Sequence, residues 1–481
     1  MNFVQIEFLW FMSTVFTVYW TLPLLKTTRW SPRKLQGALI VVTSCLFYGW
    51  VHPWFLILLF ISAINDYFAA IGMERYARYK AYILLWSFVV NLGMLAYFKY
   101  FNFFLDNMAA VMTQLGLPHS IHAVSILLPV GISFYTFQTM SYTIDVYRGE
   151  LKARTDLLDY LVYVTFFPQL VAGPINRGAS LLVQVERDRR WNPELILSGL
   201  TLAMWGGFKK MVVADTIAPY IDKIFVLENP SGPMVWAACV AFSVQIFADF
   251  SGYTDIARGT ARMLGFELAE NFKTPYLAAS APEFWQRWHI SLSFWIRDYL
   301  LVPLLGSGAK LTTFRFVWAT VVTFVIMGFW HGASWNFVLF GLWHGVWLAA
   351  YTLVLRRLPA WTERIPFGRW IAIAFHYTCI SIPGSLLFRE THASRIWMYL
   401  QKNPFAVGAP EEWIAVKVVV GMTIASATPL ILSHFVVKYL LPRIERSEWR
   451  LPLQTGSWAV FGMAMFVFYR MSASDFIYFQ F

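Results

Sequence analysis

The chain has 481 residues, of which 58% are hydrophobic, 19% aromatic and only 14% charged. A soluble domain carries about 25% charged residues and is at most about half apolar. Composition therefore excludes a string of soluble domains and implies an all-α polytopic membrane protein. The 38 Lys and Arg against 27 Asp and Glu give a formal charge of +11. No basic stripe with interleaved aromatics lies outside the apolar stretches, so this excess reads as loop anchoring and not as nucleic-acid binding.

A bilayer core needs about 20 apolar residues per helix. Apolar stretches lie near 3–25, 36–50, 53–72, 81–105, 122–147, 157–172, 195–214, 234–250, 311–330, 335–355, 370–388, 414–437 and 457–470. The first lacks a basic start and a small-residue cleavage site, so it reads as a retained span. Stretches below about 17 residues are expected to be tilted, re-entrant or buried in protein. About eleven crossings remain. Cys45, Cys239 and Cys379 each sit in an apolar stretch, with no CxxC pair. Neither a zinc site nor a disulfide framework is indicated. No repeat, low-complexity tract or long linker breaks the chain, which reads as one membrane domain over 1–481.

Basic clusters occur at Lys26–Lys34, Arg75–Lys80, Arg148–Arg154, Arg177–Arg190, Arg356–Arg369 and Lys438–Arg450, while 106–121 and 227–233 are nearly free of Lys and Arg. The simplest threading places the clusters in the cytoplasm and the N-terminus outside. The stretch 157–172 then has cytoplasmic loops at both ends. Pro168, Gly173 and Pro174 in "FFPQLVAGPI" break a helix. A half-helix that enters and returns fits this stretch, and so does an interfacial helix ending at Pro174. Broken backbone at membrane depth needs cover from protein or a cavity, so the stretch is a candidate cavity wall.

In "FADFSGYTDIARGTARMLGF" (247–266), Asp249 and Asp255 follow an apolar span with Ser251, Gly252 and Tyr253 between them. The run predicts a helix break beside a cavity. Asp249 would orient a histidine or pair with Arg258 or Arg262; a cytoplasmic cap with salt bridges is the plainer alternative. In "EFWQRWHISLSFWIRDYL" (283–300), a continuous helix at about 100° per residue places Gln286, His289, Ser293 and Arg297 within an arc of about 80°. Such a polar stripe faces a cavity, a polar partner or the headgroups.

"MGFWHGASWNF" (327–337) sets His331 directly after a run of uncharged residues. A ring that titrates near neutral pH is costly there without a task. Gly328, Gly332 and Ala333 leave room beside it, while Trp330 adjoins it and Asn336 can supply a hydrogen bond. A buried structural histidine bonded to a carbonyl is the alternative. His344 repeats the HG dipeptide but falls about 220° around a continuous helix from His331, and reads as structural. His52, His119 and His122 fall in loops. His376, His392 and His434 have no polar company at helical spacing. Nothing resembles HExxH or a carboxylate–histidine cluster, so no metal site is expected. No GxSxG elbow, Cys–His pair, Walker or dinucleotide loop occurs. Enzyme chemistry here would rest on a histidine acting as general base on a bound hydroxyl.

The stretches "FFPQLVAGPI" (166–175), "DFSGYTDIARGTARMLGFELAENFKTPYLA" (249–278), "EFWQRWHISLSFWIRDYLLVPL" (283–304), "GFWHGASWNFVLFGLWHG" (328–345) and the terminal "FIYFQF" (476–481) resemble the membrane-bound O-acyltransferase (MBOAT) family, in its bacterial branch of alginate O-acetyltransferase membrane subunits. The resemblance implies a bundle of about eleven crossings with re-entrant segments around a central tunnel. Residues 1–150 would form N-terminal helices, 157–355 a catalytic core, and 370–481 C-terminal helices. The family's invariant histidine falls on His331, and its second functional position, Asn or His, on His289. A thioester donor, acetyl-CoA, would enter from the cytoplasm, and no cofactor would be held permanently. A periplasmic SGNH-type transferase would finish acetylation of a polysaccharide. The family's "VFFRA" segment appears here as "LLFRETHAS" (386–394), with Arg389 kept.

Residues and resemblance together suggest that His331 removes a hydroxyl proton, while His289, with Ser293 and Gln286, orients the donor or stabilises the oxyanion. Arg297, Asp249, Trp330 and Asn336 are expected to line the passage. Alginate-type exopolysaccharide is the expected acceptor, with peptidoglycan and cellulose as alternatives. Outside the family reading stand a proton-coupled transporter, since intramembrane histidines also relay protons, and a non-catalytic scaffold for a polymer synthase.

Overall fold

The computed structural model describes residues 1–24, 30–170, 173–306, 311–354, 364–406, 408–444, 447–470 and 477. Among these, every regular element is helical. Parts of the basic clusters at Lys26–Lys34, Arg356–Arg369 and Lys438–Arg450, and all of the terminal "FIYFQF" but Ile477, lie outside the described residues.

Among the described residues, six helical stretches are long and apolar enough to cross a membrane: Phe55–Arg75, Ala77–Gln114, Gly232–Met263, Thr313–His331, Gly368–Arg389 and Pro410–Ile444. The sequence-based count of about eleven also draws on shorter or more aromatic helices. Trp335–Leu353, for example, carries His344 and three tryptophans.

The chain gathers into two compact units: Met1–Leu200 with Ala257–Ala269, and Thr201–Ile256 with Glu270–Phe481. In the first, large apolar side chains such as Trp10, Leu46, Ile57, Phe68 and Trp86 face outward. The interior of this unit holds polar groups. Asp66 is wholly buried and accepts hydrogen bonds from Ser87 Oγ at 2.7 Å and Asn91 Nδ2 at 2.9 Å. This inversion suits a lipid surround, where polar groups must find partners inside the protein.

Several predicted elements are redrawn. The span expected at 122–147 begins only at Ile132. Pro129 removes a backbone donor, and Gly131 stands at φ 80°, which glycine adopts without a Cβ penalty. The stretch 157–172 is broken, as Pro168 leads one to expect. Helix Leu157–Thr165 ends at Phe166, a short turn Phe167–Leu170 follows, and residues 171–172 lie outside the described set. Its freed backbone is served by protein: Tyr163 O accepts from Gln138 Nε2 and Gln169 Nε2, each at 2.7 Å.

The break predicted at 251–255 is absent, because helix Gly232–Met263 runs through it. In the second unit, the small residue Gly252 lets the backbone approach Gly206 closely. The buried carboxylates nearby meet lysines. The 195–214 stretch passes through a π-helical turn, Lys209–Ala214, and continues as Asp215–Val226. That turn places both Lys209 and Lys210 inside the unit. Lys209 Nζ lies 2.6 Å from Asp255, and Lys210 Nζ 2.7 Å from both Asp215 and Asp249.

A cavity between two histidine-bearing helices

His331 is the last residue of helix Thr313–His331. Thr312 starts that helix, its side chain accepting from Arg315 N. Gly332 ends it in extended backbone, and the chain turns back as helix Trp335–Leu353. The hairpin closes tightly because Gly328 and Gly341 stand where Cβ atoms would strike opposing backbone. Two bonds tie its second helix to residues 380–387: Asn336 Nδ2 donates to Leu387 O and Trp343 Nε1 to Ile380 O, both at 3.0 Å.

A cavity of about 40 Å³ opens here, room for a few water molecules. His331 and His344 both line it, with Trp285, Trp288, Phe340 and Gly384 among the wall residues. The Phe340 ring touches both imidazoles, 6.0 Å from His331 and 4.6 Å from His344 between ring centroids. Phe388 packs edge-on against His331 at 5.5 Å. The His344 ring is fixed on two further sides, stacked with Phe284 and edge-on to Trp285 at 5.1 Å. The Trp285 indole N–H is buried with no hydrogen-bond partner among the described residues.

His344 is the functional candidate that the sequence reading set aside. The 220° offset assumed one continuous helix. The hairpin removes that assumption and returns His344 to the wall it shares with His331. The repeated "WHG" was the available signal.

The predicted stripe at 283–300 does not form. The segment is a short helix Ala281–Trp285, a turn, and helix Ile290–Ile296. His289 sits between them at φ 41°, in the left-handed region. A residue there ends helical continuity, so the four polar side chains part company. Gln286 and Arg297 are exposed, and Arg297 pairs with Asp298 at 2.6 Å. Ser293 Oγ donates to Trp288 O at 3.1 Å. His289 is fully buried, edge-on to Phe250 at 4.7 Å, with Nδ1 3.2 Å from Asn271 Oδ1. Burial holds its imidazole well below the ordinary histidine range, in the neutral form. His289 is absent from the wall of the His331 cavity, although its neighbour Trp288 belongs to it.

The remaining candidates divide. Trp330 is buried edge-on to His331 at 4.9 Å. Asn336 serves the bond to Leu387 O described above. Asp249 pairs with Lys210, not with Arg258, Arg262 or a histidine, and its second oxygen accepts from Ile477 N at 2.9 Å. The inward-facing lysines of the π-helical turn reach it first.

The membrane-bound O-acyltransferase family matches residues 148–388. The chain is 37% identical to the "Probable alginate O-acetylase AlgI" of Azotobacter vinelandii over 76% of its own length and 72% of that protein. It is 39% identical to the protein of the same name from Pseudomonas aeruginosa, over 70% of this chain and 65% of that one. It is 32% identical to the "Peptidoglycan O-acetyltransferase" of Helicobacter pylori, over 62% and 60% respectively. The chain thus spans less than two thirds of the length of the last two relatives. The family match brackets the broken 157–170 stretch, the His289 turn and the His331–His344 hairpin. This chain belongs to the membrane-bound O-acyltransferase family, and it is a multi-pass membrane O-acyltransferase.

Proposed function

We propose that the chain moves an acetyl group from a thioester, acetyl-CoA, to a hydroxyl of an alginate-type exopolysaccharide. The observation that carries this reading is the place of His331, the end of an apolar helix on the wall of a small aromatic cavity. An imidazole there takes the proton of the attacking hydroxyl as its oxygen bonds to the thioester carbonyl carbon. The tetrahedral adduct then collapses, the C–S bond breaks, and the thiolate leaves. Proton transfer of this kind contributes about 10²–10⁴-fold. The names of the relatives support the acceptor class. Their identity to this chain exceeds that of the peptidoglycan relative, which favours an exopolysaccharide over cell wall.

The finer arrangement follows the same reading. The donor enters from the cytoplasmic side of the inner membrane, the acyl group crosses a central tunnel, and a periplasmic SGNH-type partner completes transfer. The distribution of basic residues among the loops supports an N-terminus in the periplasm.

The test is transfer of radiolabelled acetyl from acetyl-CoA by the full chain in nanodiscs together with an SGNH-type transferase, with mannuronate oligomers or peptidoglycan fragments as acceptors. Label on the oligomers, lost in His331→Ala with folding intact, is the expected result. Label on peptidoglycan alone would move the acceptor to the cell wall. Full transfer by His331→Ala would remove the histidine from the chemistry. Proton-driven solute flux without covalent transfer would favour transport.

A further inference from the structure

We infer that His344 is a second catalytic residue, whose imidazole N–H donates a hydrogen bond to the thioester carbonyl oxygen as negative charge builds there. The inference rests on the transfer reading above and assigns one more role within it.

Three observations lead to it. The sequence offers His289 for this role, but that ring is held against Asn271 and lies off the cavity wall. His344 is on that wall, with one phenylalanine ring, Phe340, in contact with both it and His331. The fold also keeps a glycine beside it, since a Cβ on Gly384 would stand 2.6 Å from His344 Nε2. A side chain at 384 would drive the imidazole from its place.

The cage of Phe284, Trp285 and Phe340 fixes the ring before substrate arrives. A donor held in advance in a water-poor site is the arrangement that stabilises an oxyanion most. Neutral and charged imidazole both carry an N–H, so the role needs no change of protonation. When the hydroxyl oxygen attacks, the carbonyl π pair moves onto oxygen and is met by this N–H. The proton goes to His331. On collapse the C=O bond re-forms, the thiolate departs, and His344 has neither gained nor lost a proton.

Isotope-edited infrared spectroscopy tests the contact without turnover. Acetyl-CoA labelled with ¹³C at the carbonyl is bound to full-length His331→Ala protein in nanodiscs. The carbonyl stretch is expected at lower wavenumber than in free acetyl-CoA, and back at the free value in His331→Ala/His344→Ala. In single mutants, His344→Ala is expected to lower kcat by about 10²–10³-fold with KM little changed, the size seen when one oxyanion donor is removed. His344→Gln, which keeps an N–H, is expected to recover part of that loss. A carbonyl stretch indifferent to residue 344, or wild-type kcat in His344→Ala, overturns the inference. Where His344→Ala fails a thermal-unfolding control, His344→Gln and Gly384→Ala carry the comparison. A wild-type protein that binds acetyl-CoA with the shifted stretch yet acetylates no acceptor in the presence of an SGNH-type transferase counts against the transfer reading and leaves the contact established. One that binds no acetyl-CoA defeats both.

Discussion

The Nε2 atom of His344 occupies the space that a side chain at residue 384 would need, because a Cβ on Gly384 would lie 2.6 Å from it. Gly384 sits in helix Ile382–Arg389, where glycine costs roughly 1 kcal/mol against alanine. Gly384→Ala should therefore help the helix and harm the cavity. Overpacking of this kind costs about 1–3 kcal/mol. The expected outcome is a fold that survives by thermal unfolding, with acetyl transfer reduced at least ~10-fold.

The left-handed backbone at His289 gives a separate expectation. Asparagine is the non-glycine residue that visits this region most readily, because its side chain bonds locally. His289→Asn should leave thermal stability nearly unchanged, whereas His289→Ile should lose about 1–2 kcal/mol. Equal melting temperatures for the two would show that the turn does not constrain the residue.

Lys210 is buried between Asp215 and Asp249, 2.7 Å from each. Lys210→Met would leave two buried carboxylates without their cation, a loss of about 3–5 kcal/mol. Lys210→Met/Asp249→Asn should recover part of it, because one uncompensated charge goes. Detergent-solubilised protein followed by tryptophan fluorescence on heating reads both.

Phe340 contacts both cavity histidines, and the space they border is about 40 Å³. Removing the ring should admit a longer acyl chain. One methylene in an apolar pocket is worth about 1–3 kcal/mol. Phe340→Ala should accordingly raise the ratio of butyryl to acetyl transfer at least ~10-fold in kcat/KM, measured with the two thioesters in competition. An unchanged ratio would place the acyl chain elsewhere.

Composition and apolar spacing carried the fold class, because burial in lipid demands long uncharged helices wherever they pack. They also carried the break at Phe166, since the proline that follows lacks a donor whatever surrounds it. His331 was legible for a related reason: a titratable ring after an uncharged run is anomalous in one dimension. The stripe of Gln286, His289, Ser293 and Arg297 was not a stripe, because one left-handed residue interrupts the helix and periodicity cannot report a single φ. Asp249 met Lys210 through a π-helical turn that no spacing rule anticipates. His344 joined His331 only because the chain reverses at Gly332–Ser334 and glycines let the two helices close. Local chemistry named the residues; which of them share a cavity was decided by backbone reversals and close packing, whose energies depend on contacts between distant segments.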